Sequence, residues 1–254
     1  MTINYTEAAS ELLSRRVAGT KAARLNEDIR PITIEDALNV HSAMIELRSD
    51  KVGGWKCLQP LAENKYVVAP IFADTVNKGE TCELFADNGV ARIEPEIAFV
   101  LGQDLPARAE GYTPAEIDAA IGSCHMALEL MQSRFAENSD AEFFEKLADC
   151  LVNQGLFIGP EIARDKAYAA ATIAITVSQG DDVQTFDGKH PNELAQNPVY
   201  WLIDFMTRRG TSFSAGEAVI TGSYCGIVEV AFDKPTSIKY QGIGEYQVTF
   251  SAKA

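Results

Sequence analysis

Ala91-Arg92-Ile93-Glu94-Pro95-Glu96-Ile97-Ala98-Phe99-Val100-Leu101 is the stretch on which the fold turns. Alternate side chains of a strand share a face. Glu94 and Glu96 therefore point one way, and Ile93, Pro95, Ile97 and Phe99 point the other way, into a core. Neighbouring carboxylates repel unless something compensates. A divalent cation is one answer: hard oxygen ligands suit Mg²⁺ or Mn²⁺, and Mg²⁺ keeps waters that a substrate can displace. A solvated face of an antiparallel sheet is the other. Pro95 implies a sheet edge or a bulge, where sites often sit.

Outward from this strand the texture is mostly β. GGWKCL, TCELFA, GLFIG, TIAITVSQ, VQTF, AVITG, VEVAF, SIKYQ and EYQVTF read as further strands. Asp87-Asn88-Gly89 and Gly242-Ile243-Gly244 read as turns between them. Two helices interrupt the pattern. One opens Thr113-Pro114-Ala115-Glu116, and the other runs from Asn197-Pro198 to a C-terminal Gly210. The first fifty residues are helical instead. Tyr5, Ala8, Ala9, Leu12, Leu13 and Val17 recur at helical spacing, and Thr33-Ile34-Glu35-Asp36 is a capping box ahead of a second helix. The organisation is thus a helical N-terminal region, 1–50, and a mostly-β region, 51–254. No βαβ rhythm, G-x-G-x-x-G or P-loop supports a nucleotide-binding reading.

Three further charges stand out among apolar neighbours. Glu129 is the lone acid of Met126-Ala127-Leu128-Glu129-Leu130-Met131; it is either an exposed position or a buried carboxylate that needs a partner. Lys56, in Gly53-Gly54-Trp55-Lys56-Cys57-Leu58, is a snorkelling or ion-paired lysine, or one desolvated enough to exchange protons nearer neutral pH. Asp74, in Pro70-Ile71-Phe72-Ala73-Asp74, is an acid/base or a turn former. His41 reads as a helix residue, His125 as a neighbour of the Glu129 site, and His190 as a loop residue. Ser223 lacks a G-x-S-x-G context, so a serine nucleophile is not indicated.

Composition narrows the function. With 254 residues, 22 Lys+Arg against 36 Asp+Glu and a net charge of −14, the surface repels phosphate backbones and anionic lipid. No apolar run is long enough to span a bilayer, and the N-terminus reads as an amphipathic helix rather than a signal peptide. Five scattered cysteines without a C-x-x-C pair suggest neither a disulfide framework nor a thiolate zinc site, and fit a reducing cytoplasm.

Taken in order, GGWKC, PIFAD, RIEPEIAFVLGQDLP, ALELMQSRF, PVYWLIDFM and AGEAVITGS resemble the 2-keto-4-pentenoate hydratase and 4-oxalocrotonate decarboxylase group of the fumarylacetoacetate hydrolase superfamily, over nearly the whole chain. The resemblance implies an α+β fold with a fumarylacetoacetate-hydrolase-like, mostly-β catalytic core, and a homo-oligomer. It makes Glu94, Glu96 and Glu129 the ligands of Mg²⁺ or Mn²⁺, and Lys56 and Asp74 the acid/base pair. It places Leu58, Gln59, Asn153, Thr221 and Ser223 at the substrate. The chain departs from the group where Lys56-Cys57-Leu58-Gln59-Pro60 replaces Lys-Ile-Gly-Leu-Thr, and where Ala148-Asp149-Cys150-Leu151-Val152 replaces Ala-Asp-Asn-Ala-Ser, which removes a serine. The implied reaction is hydration of a 2-hydroxy-2,4-dienoate, or its 2-oxo tautomer, to a 4-hydroxy-2-oxo acid. The alternatives are decarboxylation of a 4-oxalocrotonate-type 2-oxo acid, hydrolysis of an acylpyruvate C–C bond, and a non-catalytic partner subunit of such an enzyme.

Overall fold

The computed structural model describes residues 3–60, 62 and 66–253. Two helices come first, α1 (Tyr5–Ala18) and α2 (Ile34–Leu47). Asn4 caps α1, and Thr33 with Asp36 forms the expected capping box on α2. The strands and remaining helices follow as β1 (Val52–Leu58), β2 (Val67–Phe72), β3 (Val76–Lys78), β4 (Thr81–Leu84), β5 (Ala91–Leu101), α3 (Pro114–Ala120), β6 (Ile121–Met131), α4 (Phe143–Ala148) and β7 (Asn153–Ile162). The chain ends with α5 (Arg164–Tyr168), β8 (Thr172–Gln179), β9 (Asp182–Lys189), α6 (Asn197–Thr207), β10 (Ala218–Ile220), β11 (Val228–Val230), β12 (Pro235–Tyr240) and β13 (Gly244–Ala252).

These strands form two mixed sheets. The larger is ordered β2-β1-β10-β5-β6-β7-β3, with β11 also on β5; the smaller is ordered β4-β13-β12-β8-β9. Between them lies the main core, in which Ile93, Phe99, Leu128 and Phe157 of the larger sheet share a cluster with Ile175, Val177, Ile238, Val248 and Phe250 of the smaller. Tyr240 ties the sheets together: its buried hydroxyl lies 3.0 Å from the carbonyls of both Glu96 and Ala127. On the other face of the larger sheet, Ile71, Ala98, Ala127, Leu156 and Ile220 form one cluster, so the sheet curls around them. Helices α1, α2 and α4 pack on a third cluster with Ala69 and Phe72 of β2.

Two local expectations are revised. Val17 is 71% exposed, and Arg15 and Arg16 of α1 are buried in its place. The aliphatic stems of the arginines cover apolar surface, and their guanidinium groups lie over the Phe135 and Phe72 rings. Pro95, expected at an edge or bulge, lies inside an interior strand in unbroken register with β6. On the opposite side, β11 pairs only residues 91–93 of β5, and β10 only residues 98–100. The missing N–H of Pro95 falls in the gap between these two ladders, so no ladder hydrogen bond is lost.

Candidate metal centre and its cavity

That gap is where the site forms. Antiparallel register sets Glu94 of β5 directly opposite Glu129 of β6, and Glu96 opposite Ala127. Like charges in facing positions destabilise a sheet, yet Glu96 and Glu129 are each only 1% exposed. Glu94, Glu96 and Glu129 each offer a carboxylate oxygen within 4.8 Å of the others. Lys56 arrives from β1, where it pairs with Ile220 of β10 and Ala69 of β2. The loop after β10 fills the gap from above: the Gly222 N–H donates to Glu96 Oε2 at 2.5 Å.

Glu129 is held by one oxygen. Lys56 Nζ donates to Oε1 at 2.6 Å, and Asn153 Nδ2 donates to the same Oε1 at 3.0 Å. No donor among the described residues reaches Oε2, which is the oxygen left for a cation. Electrostatics point the same way. Burial, then the charge of Glu129, raises Glu94 to about 7. Burial, then Glu129 and Glu94, pushes Glu96 well above the usual carboxylate range. Burial disfavours the Lys56 ammonium, but the nearby charges of Glu129 and Glu94 outweigh it and hold its pKa above that of an ordinary lysine. Lys56 is therefore charged in the metal-free protein. Ionised together, three clustered carboxylates would exceed the one ammonium in a buried place, and the raised Glu94 and Glu96 reflect that cost in the metal-free protein; all their donor atoms are hard oxygens. The set fits a divalent cation such as Mg²⁺ or Mn²⁺.

The four charged groups line a cavity of about 230 Å³, walled also by Leu58, Val67, Pro191, Gly222 and Ser223. Gly222 is at φ 108°, and a Cβ there would lie 2.4 Å from Leu58 Cδ2, so only glycine fits. Of the residues expected at a substrate, Leu58 and Ser223 are on the cavity wall, and Ser223 Oγ lies 3.1 Å from the Gly226 carbonyl. Asn153 stands behind the wall on Glu129. Asp74, Gln59 and Thr221 are not on this wall. Asp74 lies outside the cavity, on a 3₁₀ turn after β2; its carboxylate is 2.6 Å from the Arg48 guanidinium, because the β2 direction carries it toward α2. Gln59 is clamped through its backbone by the Asn192 amide and faces a separate cavity with Tyr112 and Trp201. Thr221 is fully buried, with its hydroxyl 3.4 Å from His190 Nε2.

The histidines hold structure. His41 bonds the Leu147 carbonyl, and His125 bonds Ser123 and the Gly159 carbonyl, away from Glu129. His190, expected in a loop, is 1% exposed and accepts the Asn192 N–H. Sequence reasoning missed Val67, Pro191, Gly222 and Asn192. The Thr-Gly-Ser and His-Pro stretches were visible signals, but nothing in one dimension ties them to Glu96 or Lys56.

Behind Lys56 sits an unusual turn. Cys150, Leu151 and Val152 have φ of 58°, 49° and 61°. Three successive left-handed residues, none of them glycine, cost roughly 1–2 kcal/mol each, and a β-branched residue there is an outlier. The Leu151 carbonyl so presented accepts from Lys56 Nζ at 3.3 Å.

The chain has counterparts among known proteins. The chain is 31% identical over 163 residues to a 2-keto-4-pentenoate hydratase of Burkholderia vietnamiensis. That match covers 63% of this chain and 60% of the relative, so it spans less than two thirds of the relative's length. A 2-keto-4-pentenoate hydratase of Paraburkholderia xenovorans is 25% identical over 258 residues, covering 97% of this chain and 94% of the relative. The chain is thus similar in sequence to 2-keto-4-pentenoate hydratases. Its fold is that of 4-oxalocrotonate decarboxylase from Pseudomonas putida G7, solved with magnesium and adipate: the TM-score is 0.77 at 19% identity, over 97% of each chain. No family model matches the chain. The α+β architecture is thus fumarylacetoacetate-hydrolase-like, as the resemblance implied. No helix among the described residues is long and apolar enough to cross a membrane.

Proposed function

We propose that this hydratase relative is itself a divalent-metal-dependent hydro-lyase that adds water to a 2-hydroxy-2,4-dienoate, or its 2-oxo tautomer, to give a 4-hydroxy-2-oxo acid. The observation that carries the proposal is the convergence of Glu94, Glu96 and Glu129 with Lys56 in one small cavity. Glu94, Glu96 and Glu129 would hold Mg²⁺ or Mn²⁺. When bound, the cation supplies Lewis-acid polarisation of the substrate's carboxylate and 2-oxygen.

The chain's own groups do the rest. Leu58, Val67 and Pro191 pack against the hydrocarbon part and exclude bulk water. The Gly222 N–H fixes Glu96, and Asn153 fixes Glu129. Lys56 Nζ, charged and at the cavity wall, delivers a proton to C5 of the dienol and its amine takes back the proton that the 2-hydroxyl releases, which yields the conjugated 2-oxo-3-alkenoate and restores the ammonium. Water then adds across C3–C4, its oxygen to C4 and a proton to C3. Asp74 takes no part in this scheme, since it is paired with Arg48. The same reading makes the protein a homo-oligomer in a reducing cytoplasm.

A second reading keeps the site and changes the bond broken. Cys150-Leu151-Val152 offers no hydroxyl beside Lys56, which favours decarboxylation of a 4-oxalocrotonate-type acid. Loss of the dienoate absorbance with Mg²⁺ or Mn²⁺, read together with CO₂ release and product analysis, decides between them. Hydroxylated product without CO₂ supports the hydratase, and CO₂ without hydroxylated product reassigns the chain to the decarboxylases. Metal-independent turnover, or full activity of Glu96→Ala without metal, overturns both.

A further inference from the structure

We infer that Arg134 and Asp149, fully buried and outside the cavity, are positioning residues that set Lys56 and Glu129 through the left-handed turn between them; this rests on the metal-site reading above. Arg134 is 0% exposed and Asp149 1%. Arg134 Nε lies 2.8 Å from both carboxylate oxygens of Asp149, Nη2 donates to the Asp149 carbonyl at 2.7 Å, and Nη1 donates to the Gln132 carbonyl at 2.9 Å. One guanidinium thus grips side chain and backbone of the residue that leads into Cys150–Val152. At the far end of the turn, the Gln132 N–H donates to the Val152 carbonyl at 2.8 Å. Both ends are therefore fastened to the strand-end segment Gln132–Arg134, which continues directly from β6, the strand that carries Glu129.

What the turn delivers is specific. Its middle residue offers the Leu151 carbonyl to Lys56 Nζ, and the next residue beyond it, Asn153, donates to Glu129 Oε1. Lys56 donates to that same oxygen. The turn thus orients both donors that hold Glu129 Oε1, and thereby leaves Oε2 as the oxygen for a cation. A chain of three non-glycine residues in left-handed backbone does not keep that shape unaided. The buried fork of Arg134 is the restraint that over-determines it. Groups that orient a ligand from outside act on metal affinity as well as on turnover.

The test compares Arg134→Lys, which keeps the charge but cannot reproduce the fork, with Arg134→Met/Asp149→Leu, which removes both buried charges together. Replacing a buried ion pair by apolar residues of similar size is often neutral or stabilising, so the double variant separates positioning from stability. Mn²⁺ alone, titrated by electron paramagnetic resonance, reports the site without turnover. The expected result is a folded double variant, with a melting temperature at or above wild type, that binds Mn²⁺ about 10–100-fold more weakly. At saturating Mn²⁺ its kcat stays depressed while KM remains near the wild-type value, because Lys56 is misplaced and the apolar wall is not. Wild-type Mn²⁺ affinity and kcat in either folded variant overturn the inference alone. Wild-type protein that binds no Mn²⁺ overturns the metal reading first.

Discussion

Glu96→Gln separates the electrostatic design of the site from its structure. Two unit charges 4.8 Å apart at an effective dielectric of about 20 repel by about 3.5 kcal/mol. A buried Glu96 facing Glu94 and Glu129 therefore resists ionisation in the metal-free protein, and a glutamine resembles its protonated form. The amide oxygen still accepts the Gly222 N–H. Metal-free stability should change by about 1 kcal/mol or less, the range of a near-isosteric replacement. The metal response should not survive. For wild type at a Mg²⁺ concentration 100 times its Kd, binding stabilises by about 2.7 kcal/mol, which at about 2–4 °C per kcal/mol raises Tm by about 5–11 °C. A 100-fold weaker site at the same concentration retains about 0.4 kcal/mol, roughly 1–2 °C. Calorimetric scans of both proteins in EDTA and in Mg²⁺ give all four values. An equal Mg²⁺ shift in the two proteins, or a Glu96→Gln protein several kcal/mol less stable in EDTA, refutes the reasoning.

Four further outcomes follow from the structure. Lys56→Met should cut turnover by about 10²–10⁴-fold even at saturating Mn²⁺, the usual worth of a positioned proton donor; unchanged kcat would remove Lys56 from the chemistry. Gly222→Ala forces a Cβ to 2.4 Å from Leu58 Cδ2 at φ 108°; it should cost about 1–3 kcal/mol of stability and at least tenfold in kcat/KM, measured by urea unfolding and steady-state kinetics. Tyr240→Phe removes the hydroxyl that meets the Glu96 and Ala127 carbonyls and should destabilise by about 1–3 kcal/mol. His41 is buried, and burial lowers it from 6.5 to about 4. The unfolded chain therefore takes up a proton as pH falls through 6.5 while the folded protein does not until about 4, so up to about 3 kcal/mol of stability is lost across that window. Urea unfolding at pH 7.5 and pH 4.5 should show a smaller loss in His41→Gln, and an equal loss in both proteins would contradict the assignment.

The candidate metal-site residues were legible because period-two alternation in β5 sorts Glu94 and Glu96 from Ile93, Ile97 and Phe99 within eleven residues. Glu129 and Lys56 stood out differently, as single charges in apolar segments. Asp74 misled for a related reason: an aspartate near the end of an apolar strand looks alike in sequence whether the following turn carries it to a cavity or, as here, to Arg48. Pro95 signalled an irregularity, but sequence could not show that the irregularity was a gap between two short ladders.

By itself, the sequence determined most of the strands, though not β2, β3 or β6, which of their faces carry charge, and that the chain holds more carboxylates than its basic residues can balance, because these are properties of neighbours a few residues apart. Register decided the rest. Only the pairing of β5 with β6 puts Glu94 opposite Glu129, only β10 carries Gly222 to Glu96, and only the Arg134–Asp149 lock brings Leu151 to Lys56. Those contacts join residues tens to more than a hundred positions apart. Their energies depend on burial and mutual distance, which come into being only when the sheet closes over them.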